Sequence, residues 1–174
     1  MRKLAGSKLK KFNKKHTIDI QLVFVLDNIE YARNVASIFN LAYALKVEKI
    51  YLTGITPTPP FGKELRKVSR EREEQIHWER DKSITKLFEK LRSDSYKLIS
   101  VAKTTESTSF YNIKLNHLEK KAAIIIGNEK QGLANSLLSK TDIVTYVPVF
   151  RPLAHLNLTN ELALIAYSLL ITHA

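Results

Sequence analysis

Two stretches decide how this chain is read: IIIGNEKQGL, residues 124–133, and YVPVFRPLAHLNLT, residues 146–159. Ile124, Ile125 and Ile126 in succession read as the end of a strand buried on both faces, and Gly127 then turns the chain into polar Asn128 and Glu129. In open α/β sheets ligands gather at the carboxyl ends of strands. Glu129 and Asn157, each just beyond such a strand, are therefore expected to face one crevice. Two simpler readings of GNEKQG compete with this one. A phosphate loop fails, because Leu133 and Ala134 stand where it needs Lys and then Ser or Thr. An ordinary strand-to-helix turn, with Gly132 for backbone freedom and Glu129 at a helix N-terminus, stays open on the decapeptide alone.

Bulk properties narrow the class. The 174 residues, 44% hydrophobic and 26% charged, suit a single domain with a real core, expected over residues 17–174 behind a basic arm at 1–16. No apolar run approaches a membrane span and the start of the chain has no apolar signal core, so a cytoplasmic protein without a membrane partner is expected. Cysteine is absent, which excludes disulfides, thiolate chemistry and a cysteine zinc site. His16, His77, His117, His155 and His173 lack metal-ligand spacing, and no metal is expected. A formal charge of +11 favours a polyanionic partner, with nucleic acid ahead of a membrane because no basic helix with a bulky apolar face stands out. Charge for solubility alone is the competing account. The arm carries seven Lys or Arg and no acid, a pattern that serves equally as phosphate attraction or as a solvated tail.

Along the chain, Ile18 to Leu26 reads as a strand, Tyr31 to Lys46 as an amphipathic helix, and Ile50 to Leu52 as a second strand ended by Thr53 and Gly54. TPTPP at 56–60 forces an extended loop. From Gly62 to Arg80 both charges are dense, which reads as a helical surface insert. Its Arg66, Lys67, Arg70 and Arg72 either meet phosphates or pair locally with glutamates. Ser83 to Leu91 reads as helix, Tyr96 to Val101 as strand, Thr104 to Ser109 as polar loop, Ile143 to Val147 as strand and Thr159 to Thr172 as a final helix. Five or six strands alternating with helices predict a mainly parallel sheet.

Three ordered stretches resemble one family, the SpoU or TrmH branch of the SPOUT RNA methyltransferases. Residues 26–60, LDNIEYARNVASIFNLAYALKVEKIYLTGITPTPP, look like its first motif, with Asn34 as the motif Asn. IIIGNEKQGL looks like the second, with Gly127, Asn128, Glu129 and Gly132, and YVPVFRPLAHLNLT like the third, with Pro148, Leu156 and Asn157. The likeness spans residues 18–172. It implies an α/β knot, in which a mainly parallel sheet is flanked by helices and the carboxyl-terminal segment threads a loop as a trefoil knot. It further implies S-adenosylmethionine bent within that knot, ribose 2′-O-methylation of tRNA or rRNA, and a homodimer whose active site draws on both subunits. By the same resemblance, Val101, Gly127, Val147 and Leu156 fall where the cofactor's adenosyl part is held, and Asn34, Glu129 and Asn157 match the recurring polar positions.

The sequence also departs from that pattern. Asn40 stands where the first motif carries an Arg thought to bind the target phosphate and help activate the hydroxyl, and His155 replaces the Ser before Leu-Asn. Ala36 and Arg151 replace glycines. Two functional readings follow. In one, the enzyme works with a rearranged site, His155 acting as base and Arg33 or Arg151 supplying the missing charge. In the other, a degenerate relative binds RNA or the cofactor without turnover, His155 being a structural histidine bonded to a carbonyl. A nucleotide-binding or phosphoryl-transfer protein is a distant third, for want of a Lys-Ser or Lys-Thr loop and a magnesium carboxylate pair.

Overall fold

The computed structural model describes residues 6–7, 20–113, 115, 120–151 and 154–172. The basic arm expected over 1–16 and the boundary at residue 17 lie outside the described residues, apart from residues 6–7.

Runs of branched and aromatic residues make the central strands. These are β1 (Gln21–Asp27), β2 (Lys49–Thr53), β4 (Lys97–Val101) and β6 (Lys121–Ile126), each buried along most of its length. Three more strands complete the sheet: β3 (His77–Asp81), β5 (Thr108–Ser109) and β7 (Ile143–Tyr146). All pairings are parallel, in the order β3-β2-β1-β6-β4-β7-β5. Parallel strands need crossovers, and the helices that supply them cover both faces. They are α1 (Ala32–Ala44), α2 (Lys63–Ser69), α3 (Ile84–Ser93), α4 (Asn135–Leu138) and α5 (Leu158–Thr172).

Side chains alternate through the sheet, so each strand feeds two cores. On one face Leu22, Phe24, Leu26, Ile124 and Ile126 pack with Val35 and Phe39 of α1 and Leu162 and Ile165 of α5. On the other, Val23, Val25, Ala123 and Ile125 meet Leu87, Phe88 and Leu91 of α3, whose first turn is capped by Ser83. Register then places the site: Leu26 lies opposite both Leu52 and Ile126, so β1, β2 and β6 end level and release their loops along one edge.

Two expectations are corrected here. Residues 62–80 are not a helical insert: a short helix ends at Arg70 and Glu71, both in the left-handed region, a single 3₁₀ turn follows at Arg72–Glu74, and His77–Asp81 joins the sheet as edge strand β3. Edge strands carry charged side chains, which here hid the strand beneath a helix-like charge pattern. The sheet accordingly has seven strands, the second addition being Thr108–Ser109 inside the expected polar loop. The cations of that segment are mostly engaged locally. Arg66 pairs with Glu71 and Glu74, Lys67 with Glu64, and the Arg72 guanidinium lies 3.7 Å from the centre of the Tyr43 ring.

Candidate active site

The loops after β1 and β6 are latched by two asparagines. Asn28 takes the left-handed conformation, which Asn tolerates better than most residues. Its side chain accepts from the Ile55 N–H at 3.2 Å and its carbonyl accepts from Asn128 Nδ2 at 2.9 Å. Asn128 Oδ1 in turn accepts from the main-chain N–H groups of Lys130 and Gln131, and its carbonyl accepts from Gly132 N at 2.8 Å. The turn is so tight that a Cβ on Gly127 would lie 2.5 Å from the Gly132 carbonyl oxygen, and Gly132 itself has a positive φ of 67°.

Glu129 is thereby aimed across the crevice at the start of α1. One carboxylate oxygen accepts from Glu30 N at 2.8 Å; the other accepts from Tyr31 N at 3.2 Å and Asn34 Nδ2 at 2.8 Å. Burial works to raise the carboxyl, but the hydrogen bonds from Glu30, Asn34 and Tyr31 outweigh it and hold Glu129 below the ordinary carboxylate value. The open alternative of a plain strand-to-helix turn is half right. Glu129 does serve a helix N-terminus, but that of α1, far away in sequence. The chain of bonds continues, because Asn34 Oδ1 accepts from Asn157 Nδ2 at 3.0 Å, while Asn157 Oδ1 accepts from Thr159 N at 2.9 Å and starts α5. Asn34, Glu129 and Asn157 thus form one connected polar rim.

Two cavities with shared lining residues, of about 610 and 550 Å³, open here, and the rim borders the second. Val101, His155 and Leu156 line both; Val147 lines only the first and Gly127 only the second, which also takes in Asn34, Glu129 and Asn157. The glycine turn and the asparagine loop therefore share a pocket. Arg151 is exposed and lines the first cavity, whereas Arg33 is exposed and Asn40 half-buried on α1, outside both linings. Sequence reasoning missed Tyr31, Lys103 and Glu161, all of which line the site. Glu161 is half-buried in the first turn of α5 and burial pushes its carboxyl up. Among the described residues no group of three or more His, Asp or Glu is placed to hold a metal ion.

Comparison with known proteins adds three findings. The model of the SpoU rRNA Methylase family matches residues 21–167. A tRNA (guanosine(18)-2′-O)-methyltransferase of Borreliella burgdorferi is 24% identical over 156 residues, covering 86% of this chain and 66% of that protein. Among solved structures, an S-adenosylmethionine-bound rRNA methyltransferase from Sinorhizobium meliloti superposes with a TM-score of 0.76 at 19% identity, over 88% of this chain and 57% of that one. A TrmH/SpoU tRNA modifying enzyme from A. aeolicus also gives 0.76, at 16% identity over 94% of this chain and 83% of its own. The two structures share this fold. The chain spans just under two thirds of the B. burgdorferi protein, at 66%, and little more than half of the S. meliloti chain, at 57%.

Proposed function

We propose that this chain, which belongs to the SpoU rRNA Methylase family, transfers a methyl group from S-adenosylmethionine to a ribose 2′-hydroxyl of RNA. The observation that carries this reading is the connected rim Glu129–Asn34–Asn157 beside cavities lined by the carboxyl ends of three parallel strands, β4, β6 and β7. The cavity suits the cofactor. Its volumes lie within the range of small-ligand sites, and it combines apolar Val101, Val147 and Leu156 with turns whose main chain can read an adenine edge.

Val101, Val147, Leu156 and the turn at Gly127 would hold the cofactor, which when bound would supply an electrophilic methyl carbon to the ribose oxygen with a neutral thioether as leaving group. The protein's part is to hold the oxygen in line and take its proton. Asn34 and Asn157, fixed by Glu129, are the positioning groups. His155, exposed at the junction of the two cavities, takes the proton, and Arg151 in the adjoining lining is better placed than Arg33 to meet a target phosphate. The net charge of +11 supports a polyanionic substrate, tRNA or rRNA.

A threaded carboxyl-terminal segment and a homodimer belong to the same proposal. Leu164, Tyr167 and Ile171, 41%, 50% and 70% exposed, form an apolar stripe along α5, and Phe150 beside the site is 98% exposed. Such a stripe supports a helix-to-helix interface with a second copy. No helix among the described residues is long and apolar enough to cross a membrane.

Asn40, in place of the family's Arg, favours a second reading, a cofactor- or RNA-binding relative without turnover. Labelled methyl transfer to total tRNA and rRNA divides the two. Incorporation at ribose 2′-oxygens supports the enzyme. Saturable cofactor binding with no incorporation on either pool leaves the binder, and absence of both binding and transfer ends the family-based reading of the site.

A further inference from the structure

Among the described residues Glu161 is the one carboxylate lining the site that the fold leaves uncommitted. Among the described residues the only carboxylates lining the two cavities are Glu129 and Glu161, and both oxygens of Glu129 are already taken. Glu161 lines both cavities, yet no hydrogen bond or ion pair among the described residues reaches its carboxylate. An acidic residue whose sole task was to complement a helix N-terminus gains that interaction while fully solvated. This one is half-buried, and burial works against its charge. An anion held in that way is stabilised by a cation entering the cavity.

Which cation follows from the geometry. Asn157 and Glu161 stand four residues apart, at the start of α5 and one turn on, and the Glu161 N–H bonds the Asn157 carbonyl at 3.1 Å. With the methyl acceptor held at the Asn34–Asn157 rim, as proposed above, the sulfur that delivers the methyl would come within reach of the next turn. We infer that Glu161 supplies the negative charge facing the sulfonium of S-adenosylmethionine, so that the pocket favours the charged methyl donor over its neutral thioether product. This inference rests on the methyltransferase reading. It gives the enzyme a means of releasing product, because methyl transfer removes the charge that Glu161 holds.

The test is calorimetric titration of the full chain and its Glu161→Gln and Glu161→Asp variants with S-adenosylmethionine, S-adenosylhomocysteine and sinefungin, which carries a protonated amine near the sulfonium position. A single charge pair at contact distance in a partly solvated cleft corresponds to roughly tenfold in affinity. The wild type is expected to prefer both cationic ligands over S-adenosylhomocysteine by about that factor, Glu161→Gln to lose the preference with S-adenosylhomocysteine affinity little changed, and Glu161→Asp to retain part of it. Equal weakening of all three ligands, or no change in any, overturns the inference, as does a wild type that binds the three equally. A wild type that binds none of them ends the methyltransferase reading, and this inference with it. Should Glu161→Gln fail to fold, the wild-type ratio and the Asp variant still decide.

Discussion

Glu129→Gln is the substitution that most directly probes how the site is held. The carboxylate accepts three hydrogen bonds, from Glu30 N, Tyr31 N and Asn34 Nδ2, and so ties the turn after β6 to the start of α1. Hydrogen bonds to a charged acceptor contribute roughly 1.5–3 kcal/mol each against about 0.5–1.5 for neutral ones, and the amide NH₂ would confront one of the donors. Partial exposure reduces the difference, so a loss of about 2 kcal/mol at pH 7 is expected, or a Tm lower by roughly 4–8 °C for a chain of this size. The pH dependence has a definite sign. Because the folded-state carboxyl is held below its ordinary value, its stabilisation is complete above the unfolded-state value and is lost as pH falls through the lowered folded one. The gap between wild type and variant should therefore be constant from neutrality down to about pH 5 and close towards acid. Urea unfolding followed through the single tryptophan, Trp78 in β3, measures it. A gap below about 0.5 kcal/mol at pH 7, or one that persists unchanged in acid, refutes the role assigned to this carboxylate.

Three further outcomes are expected. Gly127→Ala would set a Cβ 2.5 Å from Gly132 main-chain atoms, forcing the turn to shift; a loss of about 2–3 kcal/mol in urea unfolding should accompany weakened cofactor binding in calorimetry. His155→Ala should abolish methyl transfer while leaving cofactor affinity within a few-fold, and full activity in that variant removes His155 as the base. Arg72→Ala should cost about 1 kcal/mol through loss of the guanidinium stacked on Tyr43, with Arg72→Lys recovering only part of it in thermal melts.

The family likeness supplied most of the candidate site residues, and the cavities bring them together. What it could not supply is that Glu129 is spoken for three times over. Its partners lie nearly a hundred residues away, at Glu30, Tyr31 and Asn34, so the bonds depend on β1 and β6 ending level. Asn28 and Asn128 give no local sign of being a pair for the same reason, each being a strand-end asparagine until the sheet sets them side by side. Glu161 reads in sequence as an ordinary acid in a helical first turn; only the cavities on its flank give it another use.

Composition and local pattern by themselves determined the alternation of strand and helix. Runs such as Leu22–Leu26 and Ala122–Ile126 can be stable only when buried on both faces, and parallel strands require helical crossovers. The tertiary structure alone decided the edge strand His77–Asp81, because an edge pairs through its backbone and leaves its side chains free to look like a solvated helix. It also decided the rim, since a hydrogen bond between Asn34 and Asn157 depends on the distance between chain segments in space, which no local pattern encodes.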